Sequence, residues 1–364
     1  MIGRNRYATR GSGDRWMSQA STEPRRLVVF GVTGQLGQEF LDELDDTEWS
    51  ISELVGVASS ESAGTDFDFR GLDGDVTAEW PVLKGYDLVV ICTRGVSALE
   101  IVRDALKAEV PCLDLTGALA AQTEVPLLFA RDLEGEGAAA AAIAPLLAMP
   151  SATALATSRI LTTLQTVGAV VRAQGTVLSS AATHGRKGVL ALSQQSIALF
   201  NQTEEPVMGP AGQTVAFDVI PGGGIDVPRV RAELGRWLGE GTAVDFTNIQ
   251  VPTFVGEGIS LALEFAEPVD ATALVSSLEL GEGLIWIADG LGSRGLAPVE
   301  EDGPEPVGPT LRDAAGSGDV LVGRLEPDET REAGISWRLW LSFDPIRLSA
   351  AHATRIAGVR LGLS

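Results

Sequence analysis

The first half of the chain alternates apolar strand-like runs with amphipathic helix-like segments, and this alternation restricts the fold more than any other feature. Four runs rich in Val, Ile and Leu are RRLVVFGV (25–32), SELVGVAS (52–59), YDLVVICT (86–93) and VPCLDL (110–115). Helical spacing occurs at 34–46 and 97–109. Uninterrupted apolar strands separated by helices are typical of a parallel sheet covered on both faces. The pattern predicts a doubly wound, Rossmann-like nucleotide-binding domain.

From about residue 150 the pattern changes to long strands that alternate apolar and polar residues. Three such strands are predicted, at 175–183, 243–255 and 258–268. Their alternation indicates a mixed or antiparallel sheet with one helix-covered face, a kind of sheet that often carries a subunit interface. We therefore predict an α/β protein with an N-terminal doubly wound Rossmann-like domain and an α+β second domain that contains a large mixed sheet.

The predicted domain boundaries follow these changes of pattern. The parts are a disordered polar tail at 1–24, a Rossmann-like domain at 25–150 joined by the C-terminal helix 345–364, and a second domain at 151–344, which the family resemblance described below implies to be the catalytic and dimerisation domain. We interpret the alanine run 138–142 as low-complexity filler and residues 289–318 as a long surface loop. Met17 is an alternative start of the chain, because the sequence after it leads directly into the first strand.

The net charge of −22 excludes a protein that binds nucleic acid backbones, because such proteins need basic patches to displace counterions. The same charge argues against binding to anionic membrane surfaces. No apolar run reaches the roughly 18 residues that span a bilayer, and the N-terminus lacks the apolar core of a signal peptide. We expect a cytoplasmic protein with neither nucleic acid nor membrane partners.

Cysteine and histidine usage limits the chemistry further. Cys92 and Cys112 both lie in apolar strand-like runs, which favours two buried free thiols in a reducing compartment over a disulfide or a metal site. The two histidines, His184 and His352, are too few for a histidine-rich metal centre. We therefore predict no metal.

The stretch VVFGVTGQLGQEF carries three glycines, Gly31, Gly34 and Gly37, between a predicted strand and a predicted helix. Gly31 allows a tight turn, Gly34 allows backbone to approach a pyrophosphate, and the helix N-terminus supplies partial positive charge. A merely structural turn is the alternative. The predicted cofactor-binding residues are Gly31, Thr33, Gly34, Gln35, Leu36, Gly37 and Ser59.

The choice of cofactor depends on the end of the second predicted strand, where an acidic ribose ligand normally lies. There Glu61 in VASSESAG is the nearby acid. Its carboxylate repels a 2′-phosphate, so we expect NAD to be favoured over NADP, with binding of neither as the alternative.

A second motif lies where a strand ends and a long helix begins. In LLAMPSATALATSRIL (146–161), Pro150 and Ser151 break the apolar run, and helical spacing follows from Ala152 to Val170. In an α/β enzyme such a junction presents a nucleophile at a helix N-terminus. Here it holds serine, alanine and threonine, so the site either works in an unusual way or has lost its reactive residue.

Several stretches together resemble the aspartate-semialdehyde dehydrogenase family. GVTGQLG (31–37) resembles its glycine loop, ASSESAG (58–64) its adenosine segment and MPSATA (149–154) its nucleophile segment. Further matches are DLTGALA (114–120), AFDVIPG (216–222), QVPTFVGEG (250–258), VGRLE (322–326) and LWLSFDPIRLSAA (339–351). The resemblance implies a dimeric, NAD(P)-dependent semialdehyde dehydrogenase of amino-acid biosynthesis. In that family a cysteine thiolate attacks the aldehyde, a histidine does the acid–base work, and arginines hold carboxylate and phosphate.

Most of these reactive residues are replaced when the resemblance is carried over position by position. The family's cysteine falls on Ala152 and its histidine on Glu257. Other replaced positions are Gln250, Ala120 and Glu61, where the family has arginines, and Ser179, where it has a glutamine. Polar character persists at a few substrate-contacting positions. The predicted substrate-pocket residues are Arg229, Glu233, Gln250 and Glu257.

Two interpretations of the remaining polar residues stay open. Ser151 and His184 are weak substitutes for the missing nucleophile and base, with Glu257 as a second base or orienting group. The alternative is that Ser151 only caps the helix, that His184 lies exposed on a loop, and that Glu257 is solvated or paired with Arg229. Ion pairing along one helix likewise explains the spacing of Arg229, Glu233 and Arg236 without a ligand.

Three functions follow from these residues. The leading hypothesis is a catalytically degenerate homologue with a structural or regulatory role, a homodimer that also pairs with an active paralogue. The first alternative is an active NAD(P)-dependent oxidoreductase acting on an unidentified carbonyl substrate. The second is a nucleotide- or metabolite-sensing module.

Overall fold

The computed structural model describes residues 23–70, 72–93, 96–203, 212–239, 241–287 and 308–363. Most of the predicted tail 1–24, including Met17, and most of the predicted loop 289–318 lie outside the described residues. Two seven-stranded sheets organise the described chain, one in each half.

The first half supplies the first sheet and three helices. Its strands are β1 (Arg25–Phe30), β2 (Ile51–Val57), β3 (Asp66–Phe69), β4 (Leu72–Thr77), β5 (Leu88–Ile91), β6 (Cys112–Asp114) and β7 (Leu146–Ala148). Its helices are α1 (Gln35–Asp45), α2 (Val96–Lys107) and α3 (Gly135–Ile143).

The strand order of the first sheet is β3-β4-β2-β1-β5-β6-β7. All neighbours are parallel except β3, which forms an antiparallel edge. The order reverses between β1 and β5, and in open α/β sheets this is where a crevice for a ligand opens beyond the carboxyl ends of the strands. The predicted doubly wound Rossmann-like domain is confirmed. The sequence did not indicate β3 and β4, because both are short and interrupted by aspartates.

Two glycines let the first helix begin directly at the end of β1. Gly31 has φ +85°, and a Cβ there would lie 2.9 Å from the backbone carbonyl carbon of Cys92. A Cβ on Gly37 would lie 2.4 Å from the carbonyl oxygen of Gly31. Neither position has room for a side chain, so the loop packs closely against the neighbouring β5 segment.

The rest of the chain supplies the second sheet and five helices. The helices are α4 (Ala152–Leu164), α5 (Gly185–Phe200), α6 (Val227–Leu238), α7 (Ala271–Leu280) and α8 (Pro345–Leu361). The strands are β8 (Val170–Ser179), β9 (Ile220–Pro221), β10 (Ala243–Gln250), β11 (Glu257–Phe265), β12 (Leu284–Trp286), β13 (Val320–Pro327) and β14 (Ser336–Phe343).

The second sheet is mixed, with strand order β12-β13-β14-β11-β8-β10-β9. The side chains that point to one face, such as Val177, Ile259 and Leu341, belong to one buried core together with residues of α4, α6 and α7. The side chains that alternate with them, such as Gln174 and Thr247, are exposed. The predicted large mixed sheet is confirmed, and its second face is open to solvent in the single chain.

The C-terminal helix α8 returns to the first sheet. Its residues Ile356 and Ala357 share a buried cluster with Phe40 of α1. Arg347, near the start of α8, is bonded to Glu39 of α1 at 2.7 Å. Apolar burial and this ion pair together attach the end of the chain to the Rossmann-like fold.

The structure corrects several predicted element boundaries. The helix expected from Ala152 to Val170 ends at Leu164, and Val170 already begins β8. The chain turns between them at Gly168, where a Cβ would lie 2.7 Å from Val269. The strands predicted at 175–183 and 243–255 end earlier, at Ser179 and at Gln250.

The alanine run 138–142, interpreted as filler, lies within helix α3. Alanine has the highest intrinsic helix propensity, and α3 buries Ala141 in the core that it shares with α8.

Candidate functional site

Helix α4 starts where the carboxyl end of β7 leaves the first sheet. Ala152, its first residue, is half-buried and offers only a methyl group. Ser151 is the N-cap residue, but its side chain makes no capping bond to the helix. Its hydroxyl instead donates to the Glu233 carboxylate at 2.5 Å, and its backbone N–H donates to the same oxygen at 2.9 Å. The expectation that Ser151 caps α4 through its side chain is wrong.

The Glu233 carboxylate is held from both sides. Its second oxygen accepts from Arg229 Nε at 2.6 Å, one turn earlier on α6. Arg229 also donates to the Thr116 carbonyl oxygen at 2.9 Å. The guanidinium lies against Gly117, where a Cβ would be 2.0 Å from it. The predicted ion pair between Arg229 and Glu233 is therefore present, and it is built into the junction between the two sheets.

Arg236 does not join that pair. Its guanidinium donates to backbone carbonyl oxygens of the segment after β6, at Ala120, Gln122, Thr123 and Val125. Arg229 and Arg236 thus both fix this helix to the first domain through hydrogen bonds to backbone carbonyls. Neither guanidinium is left free to hold an anionic ligand.

Glu257 is buried at the start of β11, with 3% of its surface exposed. Its carboxylate accepts hydrogen bonds from Thr153 Oγ1 at 3.1 Å and from Thr183 Oγ1 at 3.4 Å. The expectation that Glu257 is solvated or paired with Arg229 is therefore wrong. The pKa of Glu257 is raised to about 7. Burial is the largest cause and the charge of Asp344 acts in the same direction, while the two threonine hydroxyls lower the pKa.

The strand neighbours of Glu257 are also polar and buried. Gln250 is paired with Ser179 across β10 and β8, and both are at most 1% exposed. The Gln250 side-chain oxygen has no hydrogen-bond partner within the described residues, and neither side-chain atom of Asn248 has one. A Cβ on Gly224 would lie 1.8 Å from Ser179 Oγ, so backbone closely covers this end of the sheet.

His184 ends a short 3₁₀ helix at Ala181–His184 and lies next to the start of α5. The residue is half-buried and its Nε2 has no partner in the described part of the chain, so the expected exposed loop position is wrong. The hydroxyl of Ser151 is bonded to Glu233, and no bond joins Ser151 to His184 among the described residues. The structure therefore does not bring these two weak substitutes together as a nucleophile and its base.

The glycine loop has the features that a dinucleotide phosphate requires. In the described chain, no hydrogen bond uses the backbone N–H groups of Gln35, Leu36 and Gly37, the first residues of α1. Gly31 brings these groups to the crevice between β1 and β5, and Thr33 lies in the turn between them. Ser59 and Glu61 follow β2 on the same side of the sheet, and both are exposed. The unpaired N–H groups fit an anionic pyrophosphate.

The two cysteines are free thiols and neither lies at the start of α4. Cys112 is within β6, and Cys92 follows β5 beneath the glycine loop. Burial raises the pKa of both thiols far above the ordinary range, so neither is a thiolate at neutral pH.

The described residues contain neither a metal-binding cluster nor a membrane-spanning helix. No group of three or more His, Cys, Asp or Glu side chains is arranged to hold a metal ion within those residues. Among the helices that the structure describes, none combines the length and apolarity needed to cross a bilayer.

Sequence reasoning did not identify Thr183 and Asn248 as part of this site, and it did not connect Thr153 with Glu257. The two threonines are 104 and 74 residues from Glu257, so no local spacing links them. The inward-facing alternation of Phe246, Asn248 and Gln250 along β10 was a usable signal, because it predicts that Asn248 shares the buried face of Gln250.

Comparisons with known proteins agree with this architecture. Residues 26–131 match the family model described as the semialdehyde dehydrogenase NAD-binding domain. A USG-1 protein homolog from Pseudomonas aeruginosa is 27% identical over 343 residues, 91% of this chain and 95% of that protein. The aspartate-semialdehyde dehydrogenase of Rickettsia bellii is 24% identical over 91% of this chain and 95% of its own length. The solved structure of a probable aspartate-semialdehyde dehydrogenase from Pseudomonas aeruginosa has a TM-score of 0.79 and 27% identity, covering 93% of this chain and 98% of its own.

The described fold has a Rossmann-like first domain, and this domain matches the semialdehyde dehydrogenase NAD-binding model over residues 26–131. Over 91% of its length the chain is similar to the USG-1 homologue and to an aspartate-semialdehyde dehydrogenase.

Burial of Glu257 predicts a specific dependence of stability on pH. The ordinary pKa of 4.5 applies to the unfolded chain and about 7 to the folded one, so the folded state binds the proton more tightly. The contribution of Glu257 to the free energy of unfolding therefore falls as pH rises from about 4.5 to 7, by about 3 kcal/mol in total. Substituting Glu257→Gln should remove this loss. The difference in free energy of unfolding between the variant and the unmodified protein, measured by urea unfolding, should increase by about 2 to 3 kcal/mol in favour of the variant from pH 5 to pH 8.

Glu264→Gln is the matched control, since Glu264 lies on the same strand but is partly exposed and paired with Arg331. Its pH profile should stay close to that of the unmodified protein. Parallel profiles for the Glu257→Gln variant and the unmodified protein would contradict the buried, proton-binding carboxyl.

Proposed function

We propose that this chain is an aspartate-semialdehyde dehydrogenase-like protein that does not catalyse the dehydrogenase reaction and acts in a structural or regulatory role. The observation that carries the proposal is the residue at the start of α4. By the family resemblance, Ala152 stands at the position of the nucleophilic cysteine, and its methyl group cannot form an acyl intermediate. Loss of a catalytic nucleophile alone typically costs on the order of 10⁴- to 10⁶-fold in rate.

The neighbouring side chains support the proposal because none is arranged to replace the thiolate. The Ser151 hydroxyl is bonded to a carboxylate that is itself held by Arg229 and by the Ser151 backbone. Glu257 stands where the family has its acid–base histidine and is bonded to two threonines. Gln250 stands where the family has an arginine. Nucleophile, base and anion clamp are thus replaced together.

Restoring the cysteine should not restore turnover. An Ala152→Cys variant should show no reduction of NAD or NADP with aspartate semialdehyde and phosphate, because the residues at positions 250 and 257 still lack the family's charges. The new thiol should nevertheless make the folded variant more reactive toward iodoacetamide than the unmodified protein. Ala152 is half-buried, whereas Cys112 is fully buried and burial raises the pKa of the partly exposed Cys92.

Labelling by iodoacetamide tests whether the new cysteine side chain is accessible in the folded variant. Phosphate-dependent reduction of NADP by the unmodified protein would overturn the proposal outright. Turnover by Ala152→Cys at a rate near that of an active dehydrogenase would show that only the nucleophile had been lost. That result would contradict the proposed joint replacement of nucleophile, base and anion-binding residue.

A second candidate function, binding of a dinucleotide as a sensing module, is favoured by the glycine loop. The unpaired N–H groups at the start of α1 and the crevice between β1 and β5 suit a pyrophosphate. We propose that NAD is preferred over NADP, because the carboxylate of Glu61 follows β2, where the adenosine ribose of such cofactors lies.

Reversing the charge at Glu61 should reverse the preference. Glu61→Arg should tighten NADP binding relative to NAD by about tenfold, since a guanidinium attracts the 2′-phosphate that the carboxylate repels. Isothermal titration of both dinucleotides gives the ratio of dissociation constants.

Glu48→Arg makes the same charge change at the opposite end of β2 and should leave the ratio unchanged. An unaltered ratio in Glu61→Arg would refute the role of Glu61. Failure of either dinucleotide to bind would remove the sensing module altogether.

We further propose that the second domain mediates homodimerisation, and that the same surface suits an active paralogue. The uncovered face of the large sheet is one part of this surface. Beside it, Ile197 and Phe200 of α5 are 57% and 76% exposed, and Phe217 and Val219 are 67% and 58% exposed. Phe217 has a positive φ of 58° and packs edge-on against Phe200. An exposed aromatic pair on a strained backbone is typical of a surface that a partner covers.

A charge in this pair should weaken the dimer. Phe200→Asp should shift the protein from dimer to monomer in sedimentation velocity at micromolar concentration, because the carboxylate cannot be buried without a partner. Ile143→Asp alters an equally exposed apolar residue at the end of α3 in the first domain and should leave the dimer intact. A monomeric unmodified protein, or a dimer disrupted by Ile143→Asp alone, would contradict the proposed interface.

A further inference from the structure

Three polar side chains form a row across one end of the second sheet. Gln250 is paired with Ser179, and Glu257 precedes Gly258, which is paired with Leu178, so Glu257 lies opposite Ser179. Paired residues share a sheet face, and neighbouring strands are about 4.8 Å apart, so the row spans roughly 10 Å. The bond between Glu257 and Thr153 shows that this face is the one covered by α4.

Hydrogen-bond acceptors in this row are left unsatisfied. The oxygen of Gln250 has no partner in the described chain although the residue is 1% exposed. Asn248, two residues earlier on the same face, is 8% exposed and also has an unpartnered oxygen. Each Glu257 oxygen accepts one threonine hydroxyl, the second of them at a long 3.4 Å, and a carboxylate oxygen has capacity for two donors. Buried acceptors of this kind normally have a donor.

No cation of the described chain neutralises Glu257. The groups that act on its pKa are burial, the two threonines and the negative charge of Asp344. The nearby guanidinium groups of α6 are bonded to Glu233 and to backbone carbonyls of the first domain. A buried carboxylate without a counter-ion is costly, so its ionised form favours a positively charged ligand.

The start of α4, whose Thr153 is bonded to Glu257, also carries a negative charge. The Glu233 carboxylate is bonded to the Ser151 N–H and hydroxyl at the start of α4, so a negative charge already lies at this helix N-terminus. An incoming carboxylate or phosphate would meet that charge. The charge pattern at this end of the sheet therefore selects against an anionic ligand.

We propose that this site binds a small primary ammonium ligand, whose N–H groups donate to the carboxylate of Glu257 and to the side-chain oxygen of Gln250. An ammonium group carries three donors and one positive charge, which match the carboxylate and the unpartnered amide oxygen in number and sign. The inference rests on the proposed function, because it assigns a binding role to a site that has no nucleophile.

Ethylammonium, propionate and propionamide serve as probes of similar size and different charge. They are titrated into the purified full-length protein at about pH 8, where Glu257 is ionised, with binding followed by two-dimensional NMR. Ethylammonium should bind, and propionate and propionamide should bind at least about tenfold more weakly. Glu257→Gln should weaken ethylammonium binding by about tenfold or more, whereas Glu264→Gln on the same strand should leave it unchanged.

Gln250→Leu is a second variant, in which the unpartnered acceptor is replaced by an apolar side chain of similar size. It should fold at least as stably as the unmodified protein and should also weaken ethylammonium binding. The proposal is overturned if propionate binds as tightly as ethylammonium, if Glu257→Gln leaves ethylammonium binding unchanged, or if ethylammonium fails to bind at all. None of these results produces dehydrogenase turnover, so the proposed non-catalytic function is judged separately by the turnover assay.

Discussion

The carboxylate of Glu233 is the point on which the junction between the two domains depends. It accepts the N–H and hydroxyl of Ser151 at the start of α4 and the guanidinium of Arg229, which in turn reaches the carbonyl of Thr116. Glu233 is 1% exposed, so these bonds form in the interior, from which water is excluded. An unpaired charge there would be costly. The same carboxylate therefore orders the start of α4 and places a negative charge beside it.

Under the proposed function, the site differs from that of the family in charge as well as in reactivity. By the family resemblance, an arginine and a histidine are replaced by Gln250 and Glu257, and a cysteine by Ala152. Loss of sulfur alone would leave a pocket that still attracts an anionic substrate. With the two cationic side chains replaced, the buried face carries acceptors and a carboxylate, and its natural complement is a hydrogen-bond donor. The proposed loss of the dehydrogenase chemistry is thereby joined to a proposed change of ligand preference.

Sequence-based predictions succeeded where a feature depends on residues close together in the chain and failed where it depends on distant ones. The parallel strands around β1, the turn at Gly31 and the ion pair between Arg229 and Glu233 depend on neighbours in sequence or on periodicity, and the structure contains them all. The environment of Glu257 depends on hydroxyls contributed by Thr153 and Thr183, far away along the chain. A glutamate flanked by glycines suggests exposure, and only packing beneath α4 reverses that expectation.

The sequence by itself determined the two-domain fold and the identity of the side chain at the start of α4, because apolar periodicity and residue type are properties of the chain. The tertiary structure decided what the remaining polar groups do. In the folded chain Ser151 is bonded to Glu233, and His184 is not bonded to Ser151 as a general base would be. Glu257 is buried on the same sheet face as the unpartnered Gln250 oxygen. Partners and burial are set by which distant segments meet, and that depends on how α4 and α6 pack against the second sheet.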